Sequence, residues 1–189
     1  EPSLIIFLIF FKKFGIINMV IWLIGISGSG KTTIGTQLFK KLRATKNKWV
    51  FLDGDDLREV WGGELGHSIK DRETNAKRIS KLCHLLDKQN INVIASVLSI
   101  FPYWQEWNRE NLSSYLEVYV KADINIVAGR DTKGLYEKAF KGKLENVVGV
   151  DIEFPEPLKS DFVIDTSDTH ETPEMSTKKL LAFLNGKLP

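Results

Sequence analysis

Residues 25–32 read Gly25-Ile26-Ser27-Gly28-Ser29-Gly30-Lys31-Thr32, a complete G-x-x-x-x-G-K-[ST] spacing. Glycines at these positions let successive backbone N–H groups converge on phosphate oxygens with no Cβ in the way. Lys31 would reach the β/γ-phosphates of a nucleotide, and the Thr32 hydroxyl would hold Mg²⁺. The run before the motif, Val20-Ile21-Trp22-Leu23-Ile24, reads as a buried strand. The stretch from Lys31 reads as a helix whose positive dipole end faces the same anion. Strand, glycine-rich turn and helix in register distinguish a phosphate-binding loop from a Gly/Ser-rich turn that merely fits the pattern. The sequence therefore predicts a nucleoside triphosphate site built on Gly25, Ser27, Gly28, Ser29, Gly30, Lys31, Thr32 and Thr33.

A second chemical cluster is Asp53-Gly54-Asp55-Asp56-Leu57-Arg58. Asp53 closes the apolar run Trp49–Asp53, and ligands of open α/β sheets bind beyond the carboxyl ends of strands. A carboxylate there can hold Mg²⁺ or take the proton of an attacking hydroxyl. Gly54 permits a sharp turn, and Asp55 reads as the N-cap of the next helix. A turn and a cap would explain both carboxylates without catalysis. Against that, the strand ending at Ala95-Ser96 offers no acidic residue to serve as a second metal ligand.

The elements that must position these groups alternate along the chain. Apolar strand candidates cover 20–25, 49–53, 92–97, 116–120 and 161–165. Helical patterns lie at 31–44, 71–90, 103–114 and 172–186, with shorter ones near 55–61 and 123–129. In the segment 71–90, Ile79, Leu82, Cys83, Leu85 and Leu86 form an apolar stripe. Val/Ile-rich strands each followed by a crossover helix imply a five-stranded parallel sheet with helices on both faces. Residues 130–160 carry little strand pattern and hold Gly134, Gly142, Gly149, Pro155 and Pro157. An irregular stretch of that length inside a compact domain reads as a lid.

Composition bounds the rest. A chain of 189 residues, 43% hydrophobic, suffices for one ordinary domain over residues 19–189. A net charge of +2 without a basic block argues against nucleic acid as a partner. The lone cysteine, Cys83, sits among Leu82, His84 and Leu85, as a buried structural thiol would, and fits a reducing cytoplasm. The apolar run Leu4–Phe11 is shorter than the roughly 20 residues that span a bilayer, and its charges follow rather than precede it. Residues 1–18 are therefore expected to be an extension outside the fold, without stable membrane insertion.

Together with the phosphate loop and Asp53–Arg58, two further clusters carry a resemblance. They are Asp71-Arg72-Glu73-Thr74-Asn75 with Arg78, and Arg130-Asp131-Thr132-Lys133-Gly134-Leu135-Tyr136. From about Val20 to its end the chain resembles the adenylylsulfate kinases, a family of P-loop kinases. The D-G-D-x-x-R and R-D-x-K-G-L-Y patterns are specific to that resemblance, whereas many kinases share the phosphate loop. Such enzymes move the γ-phosphoryl group of ATP to the ribose 3′-hydroxyl of a nucleotide whose 5′ end carries an activated acid group. The resemblance implies ATP and Mg²⁺ as cofactors, with Lys31, Thr32 and Arg130 on ATP, and Thr32 and Asp53 at the metal. It implies Asp55 as base or orienter for the 3′-hydroxyl, with Asp53 beside it. Arg58, Arg72, Asn75, Ser99 and Lys133 would line the acceptor, Lys133 from the lid. Arg72 and Arg78 are also what a solvated helix face would carry. Family members often form dimers, which leaves a homodimer open.

Departures from the family pattern bear on the acceptor. Adenylylsulfate kinases usually clamp the acceptor adenine between two phenylalanines, in a G-F-S and an N-F-T-G segment. Here these read Gly66-His67-Ser68 and Asn146-Val147-Val148-Gly149. Base–aromatic stacking contributes about 1–3 kcal/mol per base, so losing both faces alters base recognition. The S-P-Y-R-x-x-R type loop, here Ser99–Arg109, has lost an arginine and gained aromatics: Phe101, Tyr103 or Trp104 would offer a new stacking face, or Trp104 and Trp107 would pack a helix to the core. These changes point to the branch resembling cytidine diphosphoramidate kinase, which phosphorylates a CDP-linked phosphoramidate in capsule modification. Adenylyl sulfate, in sulfate assimilation, is the alternative acceptor. A regulator without catalysis and a P-loop kinase of a sugar acid remain as readings from other classes.

Overall fold

Every side chain of β1 (Val20–Ile24) is buried, because this strand lies at the centre of the sheet with helices over both faces. The computed structural model describes residues 18–189 apart from 46, 132 and 169. The other strands are β2 (Trp49–Asp53), β3 (Asn92–Val97), β4 (Tyr115–Lys121) and β5 (Phe162–Asp165). All pairings are parallel, in the order β2-β3-β1-β4-β5. The sheet thus has the doubly wound form that the alternation of elements predicts. β1 pairs with β3 on one side and β4 on the other, so the strand order reverses at its carboxyl end, where a ligand crevice opens.

Alternation along β1 divides the core. Ile21 and Leu23 face α1 (Lys31–Leu42) and α7 (Pro173–Leu184), packing with Ile34, Leu38, Leu180 and Leu184. Val20, Trp22 and Ile24 face α2 (Gly54–Val60) and α3 (Ile69–Lys88), with Leu57, Ile79 and Cys83. The remaining helices are α4 (Pro102–Asn111), α5 (Ile124–Gly129) and α6 (Leu135–Phe140). The stretch expected to be irregular therefore contains a short helix, α6. It packs in a third cluster, with Ile26, Val127, Tyr136, Ala139, Val147 and Val148, over the mouth of the sheet.

Three expectations need adjustment. Leu85 is 51% exposed, because the buried face of α3 runs through Ile79, Cys83 and Asp87, and Leu85, two residues on from Cys83, lies about 200° round the helix from it. Asp55 is not the cap of α2. Asp53 is, accepting the Asp55 N–H on Oδ1 at 2.9 Å, since the helix starts one residue earlier than its sequence pattern indicates. Asn18, read from sequence as the last residue of the extension, is buried and donates to the Asp87 carbonyl at 2.9 Å. The rest of the expected extension, residues 1–17, lies outside the described residues. Cys83 is fully buried, and burial pushes its thiol pKa far up, so it is inert. Among the described residues no helix is long and apolar enough to cross a membrane.

Candidate active site

The phosphate loop joins β1 to α1. A Cβ on Gly25 would strike the Val120 carbonyl of β4, so only glycine lets the loop leave the sheet there. Gly30 caps α1 with a φ of 99°, a left-handed conformation that turns the chain into the helix. Ser29 is wholly buried, and its N–H donates to the Ile26 carbonyl at 3.3 Å, closing the turn of the loop. Thr33, Gly28 and Gly30 border a cavity of about 380 Å³ whose far wall includes Arg130, Thr166 and Pro173. This is room on the outer side of the loop, where the nucleoside of a bound nucleotide would extend. Arg130 is fixed there by donating to the Thr166 carbonyl at 2.8 Å.

Lys31 and Asp53 meet at the carboxyl ends of β1 and β2. Lys31 Nζ donates to the Ile26 carbonyl at 2.7 Å, folded back into the loop. Burial lowers its pKa to about 8, against the opposing pull of Asp55 and then Asp53. The Thr32 hydroxyl donates to Asp53 Oδ2 at 2.7 Å. Asp53 thus has one oxygen on the helix cap and the other on Thr32, and it is held rigidly between two helices. A hydroxyl and a carboxylate at this spacing suit a hard cation that takes its remaining ligands from phosphates and water, as Mg²⁺ does. Asp55 stands exposed on the first turn of α2, facing the open cleft.

The two arginines expected at the acceptor converge on the segment that joins α2 to α3. Arg58 Nη1 donates to the Gly66 carbonyl at 2.6 Å. Arg72 donates through Nε to the His67 carbonyl at 2.8 Å and through Nη2 to the Asn146 carbonyl at 2.7 Å, linking α3 to the lid. Partial burial lowers the pKa of both guanidiniums. His67 lies among these groups, and desolvation followed by the charges of Arg72 and Arg58 lowers its imidazole pKa. It is therefore neutral at physiological pH. Arg78 faces away, paired with Glu64 at 2.6 Å.

Asn75 and Ser99 are placed differently from the cleft arginines. Asn75 is buried and its Oδ1 accepts the Trp61 Nε1–H at 3.0 Å, so in this conformation its amide ties α2 to α3. Ser99 is fully buried and accepts from Gln105 Nε2 at 3.3 Å. In the altered loop, Trp104 is buried in the core and Trp107 packs on His84, whereas Tyr103 is 68% exposed. The tryptophans thus serve packing, and Phe101 sits half-buried against the lid cluster. Lys133 is exposed on the lid turn, its N–H donating to Asp131 Oδ1 at 3.2 Å.

One contact was not legible from sequence. The Tyr136 hydroxyl donates to the Ser27 carbonyl at 2.8 Å, joining lid and phosphate loop. Its motif was readable, but a partner so distant along the chain leaves no local signal.

The family model for adenylylsulphate kinase matches residues 17–165. The chain belongs to the adenylylsulphate kinase family. Its sequence is 41% identical to the cytidine diphosphoramidate kinase of Campylobacter jejuni over 167 residues, covering 85% of this chain and 95% of that protein. It is 36% identical to the adenylyl-sulfate kinase of Pseudomonas aeruginosa, covering 90% and 87%. The fold superposes on the Mycobacterium tuberculosis APS kinase in complex with AMPPNP and APS with a TM-score of 0.80 at 25% identity, covering 89% of this chain and 98% of that one. The protein is accordingly a phosphotransferase of the nucleotide kinase type, with ATP as the donor its family uses.

Proposed function

We propose that this kinase transfers the γ-phosphoryl group of ATP to the ribose 3′-hydroxyl of a cytidine diphosphate derivative, a CDP-linked phosphoramidate. The observation that carries the choice of acceptor is the fate of the two base-facing positions. Val147 is 3% exposed and packs into the lid core, and a neutral imidazole, His67, occupies the other position. Neither side offers the phenyl face that clamps adenine in the resembled enzymes. A smaller base read partly by hydrogen bonds suits an imidazole set between two guanidiniums. The similarity to the Campylobacter jejuni kinase supports the same reading.

In this mechanism Lys31 and the loop N–H groups hold the β- and γ-phosphates, and α1 adds its dipole. Thr32 and Asp53 would hold Mg²⁺, which when bound neutralises charge on the β- and γ-oxygens. Asp55 accepts or orients the proton of the 3′-hydroxyl from its exposed place beside the metal position. Arg58 and Arg72 receive the charged 5′ side of the acceptor, and their bonds to carbonyls are those a substrate would replace. Lys133 arrives with the lid and excludes water as it closes.

An acceptor screen tests the reading. ADP release would be measured with ATP and Mg²⁺ plus the CDP-linked phosphoramidate, plus adenylyl sulfate, or without acceptor. Turnover of the cytidine compound alone is expected. Preferential turnover of adenylyl sulfate would overturn the acceptor assignment and favour 3′-phosphoadenylyl sulfate synthesis, the reading that the family match would otherwise support.

A further inference from the structure

Three carbonyls of the phosphate loop are held by side chains. Lys31 Nζ takes that of Ile26, the Tyr136 hydroxyl that of Ser27 at 2.8 Å, and Thr166 Oγ1, whose proton is shared with the Lys121 carbonyl at 3.1 Å, that of Ser29 at 3.0 Å. In a trans peptide the carbonyl and the following N–H point in opposite directions. Pinning the Ser27 carbonyl outward therefore turns the Gly28 N–H toward the phosphate side. Pinning the Ser29 carbonyl does the same for Gly30. Aligned N–H dipoles repel one another, so a loop that presents several of them needs such anchors.

Two anchors belong to the sheet side of the site: Lys31 opens α1, and Thr166 directly follows β5. The third belongs to the lid. Tyr136 is the second residue of α6, and its ring is 1% exposed among Val127, Ala139 and Val147. Its own N–H donates to Asp131 Oδ2 at 2.6 Å, and the other oxygen of Asp131 receives the Lys133 N–H. The phenol, the Asp131 turn and the backbone of Lys133 thus form one unit. Burial, then the nearby Asp131, pushes the phenol pKa up to about 12, so the hydroxyl stays a donor across the working pH range.

We infer that Tyr136 is a positioning residue that couples the lid to the phosphate loop: with the lid seated, its hydroxyl sets the Ser27–Gly28 peptide for phosphate binding. The coupling is reciprocal, so a bound nucleotide must favour the seated lid by the factor with which the seated lid favours the nucleotide. The inference rests on the nucleotide-kinase reading and not on the identity of the acceptor.

The test compares wild type with Tyr136→Phe, which removes only the hydroxyl, and Thr166→Val, which frees the Ser29 carbonyl without touching the lid. Affinity for AMPPNP would be measured by calorimetry. Amide exchange over residues 135–148 would be followed with and without saturating nucleotide, and thermal melts would confirm folding. Tyr136→Phe is expected to weaken nucleotide binding about tenfold, within the usual range of coupling between sites, and to lose most of the nucleotide-induced slowing of lid exchange. Thr166→Val is expected to weaken binding while keeping that slowing. Undiminished lid slowing in Tyr136→Phe would overturn the inference, whatever happens to affinity. Should that variant not fold, Asp131→Asn, which loosens the lid turn with the phenol intact, is expected to show the same loss of slowing. Wild-type protein that binds no nucleotide would overturn the phosphate-loop reading together with the inference.

Discussion

Lys31 answers to two opposing demands, and the balance gives a pH dependence. Burial in the loop brings its pKa to about 8, whereas a phosphate needs the ammonium form. Below pH 8 the free protein already carries the proton and binds directly. Above it, binding requires uptake of a proton, so affinity for AMPPNP is expected to fall by up to tenfold per pH unit beyond 8. Lys31→Arg keeps its charge and should show an affinity that is weaker at pH 7 yet flat to pH 9.5, because its planar fork does not fit a site made for a point charge. Calorimetric titration between pH 7 and 9.5 checks this; a flat wild-type profile would show that the loop does not desolvate Lys31. The residues that carry the nucleotide chemistry were legible in the sequence: Lys31 and Thr32 lie in one motif, and Asp53 ends the next strand along the chain, β2. The cap was misplaced because Asp53 and Asp55 both sit at the helix start, and a shift of two residues decides between them. The inward packing of Val147 was hidden because burial in the lid depends on Val127 and Tyr136, which are distant in the chain.

Helix α4 shows what fixes an element whose sequence signal is weak. Arg109 reaches from its last turn to Glu117 Oε2 on β4 at 3.1 Å, to Asp161 at 3.5 Å and to the Lys159 carbonyl at 2.7 Å. Glu117 is 1% exposed on that interior strand, and the Tyr115 hydroxyl also donates to it. Burial raises the Glu117 pKa, with Arg109 the main opposing influence. Removing Arg109 leaves a buried carboxylate without its cation, which costs about 3–5 kcal/mol. The raised pKa sets the sign. A carboxyl easier to protonate in the folded than in the unfolded state loses stability for the fold as pH rises through the folded value. Arg109→Met is therefore expected to destabilise by several kcal/mol at pH 8 and by less at pH 5, as read by urea unfolding at both. An equal penalty at both pH values would place the cost in lost packing. The inner strands β1, β3 and β4 were legible because parallel strands buried on both faces read as apolar runs, and β5 through its short run Phe162-Val163-Ile164. Helix α6 was not, since six residues carry too little periodicity to stand out from a glycine-rich stretch.

The whole molecule is a sheet core and a lid that meet at the phosphate loop. The two large clusters flank β1 and draw on long helices, whereas the third is assembled from short elements around Tyr136 and Val147. It has fewer fully buried apolar residues and its helices, α5 and α6, are six residues each, so it is expected to open at a lower free energy than the sheet. Native-state amide exchange should therefore resolve two classes. Amides of β1, β3 and β4 are expected to exchange only through global unfolding, with rates that follow denaturant as the whole domain does. Those of residues 135–148 are expected to exchange orders of magnitude faster and to be insensitive to low denaturant, as local openings are. Two of the bonds that cross between the bodies, Tyr136 to Ser27 and Arg72 to Asn146, end at the substrate cleft. A nucleotide on one side and an acceptor on the other should thus slow lid exchange more together than either does alone. Lid amides that exchange at the global rate in the free protein would instead mean that lid and sheet unfold as one body, leaving substrate closure nothing to order.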